Sequence, residues 1–260
     1  MRHIFLSPHM DDAVLSSGSH ILNLLNKKKE VQIITVFTSF GSRPISWDAQ
    51  KYLMKSGFFR LDSFIKARKN EDLNSMHMLD IPFVHLEFID GGFRKDSKGK
   101  FVYPTFDHLF SGSVAHEDAR LIQTIKKILT SSHHSRNWDF INSGNVLPGI
   151  QPSDILYAPL GIGNHADHII VNRVAQTLPN KTYYWLDQPY AWKTTHTPHS
   201  RNWDFFNSGN VYGEYREAFR VPHQKKKEEV LSCYRSQMRQ LYPHGIPKID
   251  EVFFEKKSTR

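Results

Sequence analysis

The chain carries a single cysteine, Cys233, among its 260 residues. An internal disulfide framework and any Cys-rich zinc motif are thereby excluded, and a reducing compartment, the cytoplasm, is the expected location. No run of about 18 consecutive apolar residues occurs, so no membrane span is expected. The N-terminal "MRHIFL" is too short an apolar stretch for a secretory signal. No serine lies in a G-x-S-x-G elbow and Cys233 falls inside an amphipathic stretch, which leaves covalent catalysis without a clear nucleophile. Although "GIGNHA" (161–166) begins like a dinucleotide fingerprint, His165 crowds the approach of a pyrophosphate, and the first strand lacks a Gly-rich turn. Long basic tracts are missing too, despite a net charge of +8. The runs "NKKKE" (26–30), "HQKKKEE" (223–229) and "EKKST" (255–259) are short and lie beside Glu or helix ends, so they read as solvated helix surface. No nucleic-acid partner is expected.

What is present suffices for a large core: 39% of residues are apolar and 13% aromatic. "RHIFLS" (2–7), closed by Pro8, reads as a buried strand. A helix follows on the apolar period of Ala13, Val14, Leu15, Ile21, Leu22, Leu24 and Leu25, with Asp11 or Asp12 as its N-cap. "VQIITVFTS" (31–39) is a second, β-branched strand, and the βαβ opening implies a parallel sheet. Residues 40–56 read as a long loop, 61–81 as a helix ended by Pro82, 83–90 as a strand, 115–132 as a helix and 153–160 as a strand. Then come a helix over 165–178, a strand over 182–192 and a helix over 225–242. No Pro-, Gly- or Ser-rich linker divides the chain, so residues 1–260 are expected to form one α/β domain. "HSRNWDFINSGNV" (134–146) and "HSRNWDFFNSGNV" (199–211) differ only at Ile141 against Phe206. They are too short for a solenoid unit. A local surface duplication accounts for them, with two matching walls around a groove, bearing Trp138 and Trp203, as the second reading.

Two polar clusters carry the chemistry. "SPHMDD" (7–12) places His9, Asp11 and Asp12 on a strand-to-helix turn, where the C-terminal end of a parallel strand faces the ligand crevice. Adjacent carboxylates are costly to bury unless a cation or strong donors hold them. Alone, the cluster also fits a capped helix with an ordinary loop histidine. "GNHADH" (163–168) repeats the layout at another strand end with His165, Asp167 and His168, and residues three apart in a first helical turn share a face. His9, Asp12 and one histidine of this pair make an N, N, O ligand set with a coordination position left for water, the composition of a hydrolytic rather than a structural zinc site. Asp167 reads as a group orienting His165 or His168, or equally as a simple first-turn acid. His77 and His85 receive no role.

Together "PHMDD" and "GNHADH" resemble the PIG-L/LmbE family of zinc-dependent N-deacetylases, and the similarity extends over most of the chain through "RKNEDLNSMHML" (68–79), "EFIDGG" (87–92) and "YYWLDQPYAW" (183–192). The resemblance implies a Rossmann-like three-layer α/β/α fold with a mostly parallel sheet. It also implies removal of an acetyl group from an N-acetylglucosamine-type sugar, a sugar conjugate or a related amide. It makes His9, Asp12 and His168 the ligands of Zn2+ or another divalent metal, Asp11 the general base and then acid, and a protonated His165 the group that polarises the carbonyl. Arg68 and Asp90 become substrate contacts. Met10 stands where the commoner motif has Pro and Ala13 where it has Glu, which implies a less rigid turn lacking one supporting acid. A non-catalytic metal- and sugar-binding relative, or a metal-dependent hydrolase of another amide or ester, fits the same residues. The oligomeric state, a homo-oligomer included, stays open.

Overall fold

The computed structural model describes residues 1–131, 149–191 and 214–257. Both copies of the duplicated segment, with Trp138, Trp203 and also Trp192, lie outside the described residues. Among the described residues seven strands form one sheet: β1 (His3–Ser7), β2 (Val31–Ser39), β3 (Phe83–Ile89), β4 (Ile155–Pro159), β5 (Thr182–Trp185), β6 (Tyr215–Val221) and β7 (Glu251–Lys256). Their order is β3-β2-β1-β4-β5-β7-β6. The first five run parallel, while β7 is antiparallel to both β5 and β6. The α/β expectation holds, and the mostly parallel sheet is covered on both faces.

Strand alternation builds those two layers. Phe5, Ile33 and Tyr157, in register across β1, β2 and β4, face one side, where the Phe5 and Tyr157 rings stack with centroids 4.4 Å apart. Onto that side pack α1 (Asp12–Asn26), α3 (Leu61–Leu79) and the late helix α7 (Lys225–Leu231). Ile4, Leu6, Ile34 and Leu156 face the other side, against Ile125 and Leu129 of α5 (Ala119–Thr130) and Ile170 and Val174 of α6 (Ala166–Gln176).

Four differences from the sequence reading have local causes. Residues 40–56 are not all loop: Trp47–Lys55 form α2, capped by Ser46, whose hydroxyl accepts from Ala49 N at 3.1 Å, with Ala49 and Leu53 buried four residues apart. The helix expected over 225–242 is two, α7 and α8 (Arg235–Leu241), because the chain bends at Ser232–Tyr234 to bury the Tyr234 ring. The strand expected over 182–192 stops at Trp185. Strands β6 and β7 were not anticipated; β6, with Arg216, Glu217 and Arg220 exposed, suits the sheet edge, while β7, buried from Glu251 to Phe254, lies between β5 and β6.

One core-facing polar group has a consequence for stability. The His20 ring sits among Phe5, Tyr157, Phe219 and Phe253 at centroid distances of 4.8–6.2 Å, and its Nε2 has no hydrogen-bond partner. Burial above all, then the charges of His3 and Lys27, lowers its pKa from 6.5 to about 3. The unfolded chain therefore binds the extra proton between those values, and stability falls as pH drops below 6.5. The slope from this group is at most about 1.4 kcal/mol per pH unit. His20→Phe is expected to flatten the acid limb relative to wild type, read from urea unfolding between pH 4 and 7; parallel curves would reject the assignment.

Candidate active site

In chain order β2 follows β1, yet in the sheet β1 lies between β2 and β4. The crossovers therefore diverge on either side of β1, and a crevice opens beyond its C-terminal end. The turns after β1, β3 and β4 meet there.

The backbone of the first turn is held by hydroxyl groups rather than by its own carboxylates, apart from His9 N, which donates to Asp12 Oδ2. Ser7 Oγ accepts from Ala13 N at 3.0 Å and donates to His9 O at 2.6 Å. Tyr234 Oη lies 2.9 Å from Met10 O and 2.6 Å from Asp72 Oδ1, whose other oxygen meets His85 Nε2 at 2.6 Å. These bonds clamp the Met10 peptide, so the turn does not need a proline at that position. They also give His85 a structural place. Asp11 stands at the N-cap of α1 without capping it. Its Oδ1 instead accepts from Arg68 Nη2 at 3.0 Å, and both side chains are buried. Arg68 Nε and Nη1 are buried without partners, two donors available to a ligand oxygen.

Asp12 Oδ2 gathers the imidazoles: it accepts from His9 N at 2.9 Å, meets His9 Nδ1 at 2.9 Å and lies 3.2 Å from His168 Nε2. That last contact is an ion-pair approach in which Nε2 makes no hydrogen bond. His9, Asp12 and His168 bring ligand atoms within 4.8 Å of one another, as do His9, His165 and Asp167. A neutral imidazole has one free lone pair, so His9 can serve only one set. The second set is already committed: Asp167 accepts from Arg94 Nη2 at 2.6 Å and from Gly91 N at 2.8 Å, and His165 Nδ1 accepts from Asp167 N at 3.1 Å. His168 Nε2, buried beside Asp12 Oδ2 but without a hydrogen bond, makes the first set the one that fits a divalent cation.

The electrostatics agree. Burial, the largest influence, opposes charge on His9 and His168, but Asp12 outweighs it together with Asp167 on His9 and Asp187 on His168. His9 is held well above the usual imidazole range and His168 is raised to about 9. Asp12, despite burial, is held well below the ordinary carboxylate range by His168 and His9. The cluster thus favours positive charge, and a metal would compete with protons for the same lone pairs.

The other expected residues fall into place differently. Asp167 orients neither His165 nor His168 through its side chain: its Oδ2 lies 3.2 Å from His9 Nε2. His165 caps α6, and because its Nδ1 accepts a backbone hydrogen its proton sits on Nε2. Burial first, then the charge of His9, holds it well below the usual imidazole pKa. The expected protonated His165 is corrected to a neutral donor. Asp90 caps the turn Gly91–Phe93 through Gly92 N at 2.8 Å, and its Oδ2 is 3.7 Å from His9 Nε2. A Cβ at Gly91 would come within 2.7 Å of Leu109 Cδ1, on the short helix α4 (Phe106–Leu109), and 3.1 Å of Asp167 Oδ1, so a larger residue there would displace the leucine tip and press on the carboxylate.

Several groups escaped the sequence reading. Arg94 bridges the buried carboxylates of Asp118 and Asp167, and Asp187 meets His168 Nδ1 at 2.7 Å. Among the described residues the Tyr190 ring reaches the site, its centroid 5.6 Å from that of His168. Trp47 is 70% exposed, and Tyr184 and Trp185 are core. The only local signal for Arg94 was its position just after "IDGGF" (89–93) at a strand end. Nothing in the spacing marks its partners.

Compared with known proteins, residues 4–178 match the family model for GlcNAc-PI de-N-acetylases, PIG-L. The chain belongs to the PIG-L family. It is a deacetylase of that family. A curated relative, 2'-N-acetylparomamine deacetylase from Niallia circulans, is 24% identical over 253 residues, covering 92% of this chain and 82% of its own. The PIG-L fold is shared with a deacetylase of teicoplanin biosynthesis, at a TM-score of 0.67 and 21% identity with both chains fully covered. It is also shared with the A40926 pseudoaglycone deacetylase, at 0.63 and 17%, covering 100% of this chain and 99% of that one. Among the described residues of this PIG-L protein no helix is long and apolar enough to cross a membrane.

Proposed function

We propose that this PIG-L protein is a zinc-dependent hydrolase, one domain over residues 1–260, that removes the N-acetyl group from an N-acetylglucosamine-type sugar, its conjugate or a related amide. The observation that carries this is the juxtaposition of His168 Nε2, which makes no hydrogen bond, with His9, Asp12 and a buried carboxylate, Asp11, that neither caps its helix nor joins the ligand set. His9, Asp12 and His168 would hold the metal, which supplies Lewis-acid polarisation of the carbonyl and brings the pKa of a water toward about 7. Asp11, aimed by Arg68, takes the proton of the attacking water and later delivers it to the departing amine nitrogen, serving as base and then acid. The Nε2–H of neutral His165 donates to the carbonyl oxygen as negative charge develops there, a contact commonly worth about 3 kcal/mol in the transition state. Arg68 Nε and Nη1 offer donors to substrate oxygens, and Asp90, whose carboxyl is pushed above its ordinary pKa chiefly by burial, accepts from a sugar hydroxyl. The sugar-type relative named above supports the substrate class.

The test is acetate release from a panel of N-acetylated amino sugars and glycoconjugates, with and without a chelator. Release that disappears on chelation and returns with zinc is expected. Release unaffected by chelation would remove the metal, and binding of sugars without any release would make this a non-catalytic relative.

A further inference from the structure

We propose that Asp187 is a positioning residue that locks His168 into its metal-ligating tautomer; the inference rests on His168 being a ligand, as in the function proposed above. Asp187 follows the end of β5 and is fully buried. Its two oxygens have separate duties. Oδ2 accepts two backbone hydrogens from the turn after β4, Gly161 N at 2.9 Å and Ile162 N at 3.0 Å. Oδ1 meets His168 Nδ1 at 2.7 Å. With Oδ2 pinned by two donors the carboxylate cannot turn over, so Oδ1 stays an acceptor aimed at Nδ1. In its neutral, metal-binding form the imidazole carries its hydrogen on Nδ1, and the lone pair is left on Nε2, which faces Asp12 3.2 Å away. Nothing in the local sequence marks this, since His168 on α6 and Asp187 beyond the end of β5 lie 19 residues apart.

A plain staple between the β4 turn and β5 would use the same contacts, but the two roles respond oppositely to the isosteric change. In Asp187→Asn the two backbone donors hold the amide oxygen, and the amide NH2 is forced toward His168 Nδ1. The ring can then accept there only by moving its hydrogen to Nε2, which removes the ligating lone pair, as wrong-tautomer variants of other carboxylate–histidine pairs do. Asp187→Ala deletes the restraint without imposing the wrong tautomer. A staple predicts that Asn is the milder substitution; a tautomer lock predicts that it is the more damaging.

The experiment measures zinc affinity of the full chain by competition with a chelator of known affinity, alongside circular dichroism for folding. Asp187→Ala is expected to weaken zinc about 10-fold and Asp187→Asn about 100-fold or more. Zinc binding by Asp187→Asn equal to wild type, or tighter than by Asp187→Ala, overturns the inference while leaving the metal site standing. Wild-type protein that binds no zinc, cobalt or manganese overturns the ligand assignment, and this inference with it. Nitrogen–proton correlation spectra of His168 in the zinc-loaded wild type need no variant to fold: a hydrogen on Nδ1 with zinc on Nε2 is expected, and the reverse refutes the lock.

Discussion

Asp11→Asn is expected to lower kcat by about 10²- to 10⁴-fold, the usual worth of a positioned general base, with zinc content unchanged. The substitution keeps the shape of the side chain and an oxygen for Arg68, so what it removes is the ability to take and return a proton. Because that ability matters only as the bond is being made and broken, kcat and kcat/KM should fall together and KM should move little. Zinc content should hold because Asp11 lies outside the His9, Asp12 and His168 set. The measurement pairs steady-state acetate release with metal analysis, after circular dichroism has shown the variant folded, since Arg68 then sits buried beside a neutral partner. Turnover above a tenth of wild type would take Asp11 out of the base role.

Arg94→Leu is expected to reduce folding stability at pH 7 by about 3–5 kcal/mol, the range for stripping one partner from a buried ion pair. Its guanidinium reaches Asp118 and Asp167, whose side chains are 3% and 0% exposed, and also donates to Ile89 O at 3.0 and 2.8 Å. Burial pushes both carboxyl groups toward neutrality. It prevails at Asp118, whose pKa is already raised, whereas at Asp167 it is overcome chiefly by Arg94, with help from His9. Without the arginine, both folded-state pKa values should rise above those of the unfolded chain. A group so raised contributes fully below its unfolded pKa and loses that contribution as pH rises through the folded value. The deficit of the variant should therefore be largest near neutrality and shrink as pH falls toward about 4, where unfolded carboxylates begin to protonate. Denaturant melts at several pH values measure it. A loss under about 1 kcal/mol at pH 7 would mean that Arg94 does not balance these charges.

The element reading succeeded where the signal was a period and failed where it was a contact. The β1-α1-β2 opening, α3 and α6 follow from apolar spacing closed by Pro, Gly or a cap. Helix α2 was hidden because Gly41, Pro44 and Gly57 around it look like loop, although Ser46 and the Ala49–Leu53 pair were legible capping and packing signals. The break between α7 and α8 was not legible at all, since residues 225–242 keep a helical pattern straight through it. Tyr234 is drawn to Met10 and Asp72, 224 and 162 residues away, and that pull overrides local propensity.

By itself the sequence determined the donor types and their address: His9, Asp11 and Asp12 on one strand-to-helix turn, His165, Asp167 and His168 on another, each group confined to four residues and therefore readable as spacing. The tertiary structure decided who serves whom. Asp167 turned to His9, Asp187 came to stand behind His168, Arg94 tied two acids together, and His165 lost its expected proton to the backbone hydrogen bond that fills its Nδ1. The reason is physical. Ligand types are local properties of a turn, whereas the pairing of buried polar groups depends on which strand ends the sheet order brings together, and a hydrogen bond closed across 19, 73 or 158 residues leaves no period in the chain.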